Sequence, residues 1–172
     1  TRNKIEGQAH FLRAYFYFDL CRLFGTVPLL TTSEPENVPR ATAEELYAQI
    51  AFDLKTAIEK LPSVKYSAAN NSELGRATKW AAEALLARAY LFYTGYYQQE
   101  SMPLPDNSTL SRTDVITYLD DCINNSGHDL IGDFRNLWPY SNTYTKKNYK
   151  YAQDNDLNWI GEDGANVETV FA

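Results

Sequence analysis

Four segments of the chain carry apolar residues at the three- to four-residue spacing of a helix with a buried side. In the first segment the stripe consists of Leu12, Phe16, Leu20 and Leu23. Neighbouring rings extend this stripe around the cylinder, so we expect the first helix to be buried on most sides. The predicted helices cover about residues 4–24, 42–61, 78–97 and 112–125.

Signals at the ends of these segments agree with the periodicity. Thr42 followed by Glu45 forms a capping box, and Pro62 ends the second helix. Gly25 and Gly127 follow the first and fourth segments, where helices commonly end in a left-handed residue. Further candidate N-caps are Thr78 for the third helix and Ser111 or Thr113 for the fourth.

A short internal repeat suggests how the helices are arranged. The sequence RAYFY, which begins at Arg13, recurs as RAYLF from Arg88, 75 residues later. A helical hairpin of about 34 residues is the tetratricopeptide unit, so this offset fits two units with a longer connection. We expect the two arginines to pack their stems against rings or to pair with a carboxylate.

These patterns predict an all-α fold of tetratricopeptide-like helical hairpins, an alpha–alpha superhelix with long irregular loops. Residues 1–172 are expected to form a single helical domain. Residues 128–172 have no period, and the apolar positions from Val167 to the end suggest a short C-terminal strand.

Charge and composition narrow the classes of function. The formal net charge is −6, which argues against nucleic-acid binding because that requires a basic surface to neutralise phosphates. The chain also contains 13 Tyr, 8 Phe and 3 Trp, more hydroxyl-bearing rings than a core needs. This excess favours a binding surface.

The sequence shows no arrangement of residues typical of catalysis or metal binding. His10 and His128 stand alone, without a nucleophile motif. Asp154, Asp156 and Asn158 resemble the opening of a calcium loop, but the sixth position holds Trp159 where such a loop needs glycine. We therefore expect a protein that is not an enzyme, with no catalytic residues, no metal ligands and no cofactor.

Three ordered blocks of the sequence resemble the SusD/RagB family. The blocks are AHFLRAYFYFDL at residues 9–20 followed by LFGTVPL at 23–29, EELYAQIAFDLKTAIEKLP at 44–62, and GRATK at 75–79 followed by the alanine-rich run to residue 91. The resemblance implies tetratricopeptide-like helix pairs within a longer protein. It also implies a surface-exposed lipoprotein of the cell outer membrane, although the cysteine that would carry the lipid anchor is absent from this chain.

The same resemblance implies a function without covalent chemistry. Family members bind glycans or related nutrients and act as a lid on a partner SusC-type TonB-dependent transporter. An oligosaccharide ligand and such a transporter are therefore the expected partners. The alternative is a tetratricopeptide-type protein–protein interaction scaffold without direct ligand binding.

The expected ligand site rests on composition, because the family's ligand residues form no motif that transfers by position. Rings offer flat apolar platforms for sugar C–H faces, and amides supply hydrogen bonds to hydroxyl groups. The aperiodic region interleaves both kinds of side chain, although these rings could instead pack the loop against the helices. The candidate ligand-binding residues are Trp138, Tyr140, Asn142, Tyr144, Asn158 and Trp159.

Overall fold

The structure is a computed structural model that describes residues 2–33, 37–65, 75–138, 148–158 and 167–171. Its main helices are α1 (Arg2–Phe24), α2 (Ala43–Lys60), α3 (Lys79–Tyr96) and α4 (Arg112–Asn125). Smaller elements are β1 (Met102–Pro103), β2 (Thr109–Leu110), a 3-10 helix (Phe134–Leu137) and α5 (Lys150–Asp154). The predicted all-α fold class and all four predicted helices are confirmed.

Each main helix packs chiefly on the next one along the chain. Neighbouring helices are antiparallel, because residues near the start of one contact residues near the end of the next. Gly7 of α1 lies against Leu61 at the end of α2, and the Tyr47 ring of α2 lies 4.8 Å from the Tyr93 ring of α3. The result is a sequential stack with α2 and α3 in the middle.

Side-chain caps fix where the helices begin. Thr42 and Glu45 form the predicted capping box of α2, and Thr78 accepts from the backbone N–H of Ala81 in α3. Ser111 caps α4, and Asp114 completes a second capping box there. Each such cap contributes about 1 kcal/mol to helix stability.

The second helix supplies the centre of the core. Its apolar stripe, continued by Leu61 at the C-cap, is buried throughout: Leu46, Ile50, Leu54, Ala57 and Leu61. Burying each large aliphatic side chain of this kind contributes about 1.5–3 kcal/mol. Small residues of α3, among them Ala82 and Ala89, are also buried and allow close approach of its neighbours.

The expectation that α1 is buried on most sides is wrong for the described residues. Its predicted stripe of Leu12, Phe16, Leu20 and Leu23 is exposed. The buried side of α1 consists instead of Gly7, Phe11, Ala14, Phe18 and Cys21. Small residues on that side let α2 approach closely, since a Cβ at Gly7 would lie 3.0 Å from the Leu61 side chain.

The end of the chain lies across the helices. Phe171 packs edge-on against Phe11 of α1, with ring centroids 5.2 Å apart. The expected C-terminal strand is not formed within residues 167–171. The Asp129 N–H donates to the Val167 carbonyl, at 3.3 Å, and this one hydrogen bond does not build a ladder. Between the third and fourth helices, residues 101–110 contain the small β1–β2 hairpin.

Candidate functional site

Two of the six predicted ligand-binding residues, Trp138 and Asn158, lie within the described part of the chain. The other four lie outside the described residues: Tyr140, Asn142, Tyr144 and Trp159. The structure therefore describes the surroundings of Trp138 and Asn158. Two short segments form this region.

The first segment is the 3-10 helix and the tryptophan that follows it. Asp133 begins this helix by accepting from the Arg135 backbone N–H. The Trp138 side chain is 52% exposed, and Phe134 is exposed as well. About half of the Trp138 surface is therefore accessible to solvent, as a ring that stacks on a ligand requires.

The second segment comprises α5 and the residues after it. Ala152 and Leu157 are the buried residues of this segment. The Leu157 N–H donates to the Ala152 carbonyl at 3.0 Å, which closes the turn that follows α5. Tyr149 and Tyr151 are exposed, with ring centroids 6.0 Å apart.

Arg135 joins the two segments. Its guanidinium donates to both carboxylate oxygens of Asp133, from Nη2 to Oδ2 at 2.7 Å and from Nε to Oδ1 at 2.9 Å. Its Nη1 donates to the Tyr151 hydroxyl at 3.2 Å and to the Asn155 Oδ1 at 3.1 Å. The Arg135 hydrogen bonds and charge hold the pKa of Asp133 below its usual range, so the pair stays ionised.

A second link brings Asn158 to the same place. Its backbone N–H donates to Oδ1 of Asn136 at 2.8 Å. Asn158 is thus held beside the segment that carries Trp138. We call the exposed rings Phe134, Trp138, Tyr149 and Tyr151, together with the polar residues that join their segments, the ring-bearing surface.

This arrangement is suited to binding. Its rings provide apolar platforms, and its amide, hydroxyl and guanidinium groups provide hydrogen bonds. Across the described ranges there is no group of three or more His, Cys, Asp or Glu residues that could hold a metal ion. The composition-based prediction did not include Phe134, Arg135 or Asn136, although the run FRNLW contains an aromatic, cationic and amide sequence typical of such surfaces.

Two buried carboxyls elsewhere resemble catalytic groups, and the first serves structure. Asp53 of α2 is fully buried and receives two hydrogen bonds from Arg13, at 2.6 and 2.7 Å. It also bonds to His10 Nδ1 at 2.7 Å and to Gln49 Nε2 at 3.0 Å. The Asp53 hydrogen bonds raise the pKa of Arg13, and this cluster fastens α1 to α2. The predicted carboxylate partner of Arg13 is confirmed, whereas Arg88 is exposed.

The second buried carboxyl is Glu83 of α3. Neither of its oxygens has a hydrogen-bond partner within the described residues. Lys79 Nζ lies 3.6 Å from its Oε1 and makes its shorter contact to Asp121 of α4. Burial raises the pKa of Glu83 to about 7. Glu83 is fully buried, and we assign it no catalytic role.

Comparison with known proteins identifies the class. Residues 1–91 match a SusD-like family described as starch-binding and associating with the outer membrane. This match covers more than half of the chain and all three blocks that carry the resemblance, and the chain belongs to the SusD-like family. The ring-bearing surface lies beyond the matched residues.

Individual relatives agree with this assignment. The chain is 30% identical over 146 residues to a SusD-like protein of Bacteroides ovatus, an alignment that covers 83% of this chain and 24% of that protein. A chain solved with a xylogluco-oligosaccharide is 28% identical, with a TM-score of 0.61 over 81% of this chain and 27% of the other. A laminarin-binding SusD-like protein is 26% identical, with a TM-score of 0.60 over 84% of this chain and 30% of the other. The chain thus spans about a quarter of the length of these relatives.

Proposed function

We propose that this chain is part of a longer, non-catalytic protein that binds a glycan at the cell surface and delivers it to a SusC-type TonB-dependent transporter. Membership of the SusD-like family supports the proposal, as do relatives that bind laminarin or were solved with a xylogluco-oligosaccharide. The observation that carries it in this chain is the joining of two ring-bearing segments by Arg135.

In the proposed mechanism the rings of the ring-bearing surface stack on the apolar faces of sugar residues. Trp138 and Tyr149 provide such faces, and the amides of Asn155 and Asn158 provide hydrogen bonds to hydroxyl groups. Because Arg135 already fixes Tyr151 and Asn155, little side-chain entropy is lost when a ligand binds. Tyr140, Asn142, Tyr144 and Trp159 remain predicted members of the same site.

The proposed location is the outer face of the outer membrane, held there by a lipid anchor on the longer protein. The family description supports association with the outer membrane. None of the helices in the described ranges is long and apolar enough to cross a bilayer. The transporter partner follows from the family resemblance.

The alternative, a tetratricopeptide-type scaffold that binds peptides, is less well supported. A cavity of about 410 Å³ lies between α1 and α3, bordered by Phe11, Tyr15 and Arg88. Residues 168–171 of the chain itself form one wall of this cavity. A peptide would have to compete with that segment, whereas the ring-bearing surface is open to solvent.

Affinity electrophoresis of the longer protein in gels that contain xyloglucan, laminarin or starch tests the proposal. We expect at least one glycan to retard the protein. Trp138→Ala should weaken that binding about tenfold, or ~1.4 kcal/mol, through loss of one stacking platform. Tyr96→Ala removes an exposed ring of α3 outside the surface and serves as the matched control. An unretarded protein, or equal effects of the two substitutions, would contradict the proposed site.

A separate measurement tests the transporter. Co-purification of the longer protein with the SusC-type barrel should be unchanged by Trp138→Ala, since the ring-bearing surface is proposed to contact glycan alone. Loss of co-purification together with loss of glycan binding would show that the surface serves the transporter instead.

A further inference from the structure

A guanidinium on a binding surface can grip an anionic ligand, but the donors of Arg135 are already used. Its Nε and Nη2 donate to the two carboxylate oxygens of Asp133. Its Nη1 donates to Tyr151 and Asn155. An arginine that recognises a ligand carboxylate presents two parallel N–H groups to it. Asp133 occupies that position here, so Arg135 supports the ring-bearing surface and its charge is compensated from within.

The other basic side chain in the described parts of this surface, Lys150, also faces a carboxylate. Its Nζ lies 2.9 Å from Oδ2 of Asp154 and donates to Oδ1 of the same residue at 3.0 Å. The two residues are four positions apart on α5, the spacing at which opposite charges meet on a helix. An anionic ligand that reached Lys150 would therefore lie beside the carboxylate of Asp154.

The charge balance of the whole region is negative. Residues 128–138 and 148–158 together hold four carboxylates against two cations, a net charge of −2. Burial lowers the pKa of His128, so this residue adds no positive charge at neutral pH. Over residues 128–172, which include the other predicted site members, seven carboxylates stand against four cations. At physiological ionic strength these charges act over roughly 8 Å, so they repel an anionic group on a bound ligand.

The hydrogen-bonding groups of the surface match hydroxyl groups better than anions. The amide of Asn158 and the hydroxyl of Tyr149 can each donate and accept, as a sugar hydroxyl does. The surface carboxylates accept only, so a hydroxyl beside them can donate to them whereas an anionic group cannot. A ligand rich in hydroxyls and free of charge therefore leaves none of these groups opposed.

We propose that the ring-bearing surface selects neutral glycans over glycans that carry uronate groups, and that carboxylates of this chain enforce the choice. This selectivity rests on the proposed function, since it names the class of ligand at the same site. Asp133 is needed to hold Arg135 in place. Asp129 and Asp154 are exposed, and their charges can be removed without touching that pair.

Two probes that differ in charge test this selectivity in the longer protein. Whichever of xyloglucan, laminarin or starch retards the protein is oxidised at its primary alcohols to the uronate, and part of the product is converted to the methyl ester. Isothermal titration calorimetry is carried out with EDTA, so that no divalent cation bridges carboxylates. We expect the uronate to bind about tenfold more weakly than the ester, or weaker still. Salt at about 1 M, where the screening length falls to roughly 3 Å, should remove most of this difference.

A double substitution assigns the selectivity to this surface. Asp129→Asn combined with Asp154→Asn brings the net charge of residues 128–138 and 148–158 from −2 to zero. We expect the affinity for the uronate, relative to that for the ester, to rise about fivefold. Glu44→Gln combined with Glu59→Gln removes the same charge from exposed positions of α2 and is the matched control, which should change this ratio little.

The remaining outcomes overturn the proposal in different ways. Equal binding of uronate and ester, with both weakened by Trp138→Ala, would leave the glycan site in place and remove its selectivity. Equal gains in the double variant and its control would assign the repulsion to the overall charge of the protein. If no glycan binds, or if Trp138→Ala has no effect, the proposed function fails and the selectivity fails with it.

Discussion

Two fully buried carboxyls, Asp53 and Glu83, each lie between two neighbouring helices and differ in how they are satisfied. Asp53, between α1 and α2, accepts hydrogen bonds from an arginine, a histidine and a glutamine. Glu83, between α3 and α4, has a lysine 3.6 Å away and no hydrogen bond in the described part of the chain. Burial of a charge is tolerated where its oxygens are occupied, and is relieved by protonation where they are not.

The largest expected effect comes from removing the satisfied carboxyl. Asp53→Ala leaves the Arg13 guanidinium beside an apolar interface without its anion, and we expect a loss of about 3–5 kcal/mol in the free energy of unfolding. Urea denaturation measures this loss. Glu59→Ala removes an exposed carboxylate from the same helix and should change stability by less than ~0.5 kcal/mol. Similar losses in the two variants would contradict a special contribution of Asp53 and its hydrogen bonds to stability.

Glu83 should make the free energy of unfolding depend on pH. Its pKa is about 7 in the folded protein and near the ordinary 4.5 in the unfolded chain. The folded state therefore binds more protons between these values, and the contribution of Glu83 to the free energy of unfolding falls as pH rises from 4.5 to 7. The penalty is complete above pH 7 and amounts to about 3 kcal/mol.

Glu83→Gln removes this titration while keeping the shape of the side chain. The stability of the variant relative to the unsubstituted protein should rise by about 3 kcal/mol between pH 4.5 and pH 8, as measured by urea denaturation at each pH. For Glu59→Gln, the exposed control, the difference in stability from the unsubstituted protein should be the same at each pH. A flat difference for Glu83→Gln as well would mean that the carboxyl is ionised without penalty.

A smaller effect is expected from Arg13→Lys, which keeps the charge and loses the two parallel hydrogen bonds to Asp53. We expect a loss of about 1–2 kcal/mol, since an ammonium cannot bind both carboxylate oxygens in one plane. Arg22→Lys alters the exposed pair with Asp19 and should be close to neutral. Equal effects in thermal or urea unfolding would indicate that charge alone holds Asp53.

The smallest expected effect is that of Lys79→Gln. Lys79 lowers the pKa of Glu83 against the effect of burial, so its removal should raise that pKa further. We expect a loss of ~1 kcal/mol at pH 8 that becomes smaller by pH 5, where Glu83 is neutral with or without the lysine and the pair of Lys79 with Asp121 remains. Titration of the Glu83 carboxyl by NMR gives the pKa directly, and a lower value in the variant would contradict this account.

Periodicity and caps predicted the helices, because both are local properties of the sequence, whereas the family resemblance rested on the residues of three blocks. The same patterns could not say which side of α1 is covered, since that helix is apolar on two sides and periodicity does not identify the neighbour. Asp53 lies within the apolar stripe of α2, but its partner Arg13 is 40 residues away. Tertiary contacts of this range leave no mark in a single sequence.

The sequence indicated the region of the candidate site but not how its residues contact one another. Its ring and amide content is visible in the composition of residues 128–172. The role of Arg135 depends on reaching Tyr151 and Asn155, which are 16 and 20 residues further on. No continuous helix or strand fixes the spacing between these residues, so their contacts could be seen only in the structure.

The packing of Phe171 on Phe11 alters how the stack is expected to unfold. In a string of helices that touch only their neighbours, units can melt one at a time from either end. Here the first helix is in contact with a residue 160 positions later in the chain. Such a closure raises contact order and slows folding, and it ties the loss of the first helix to the release of the last segment, which favours a single cooperative transition.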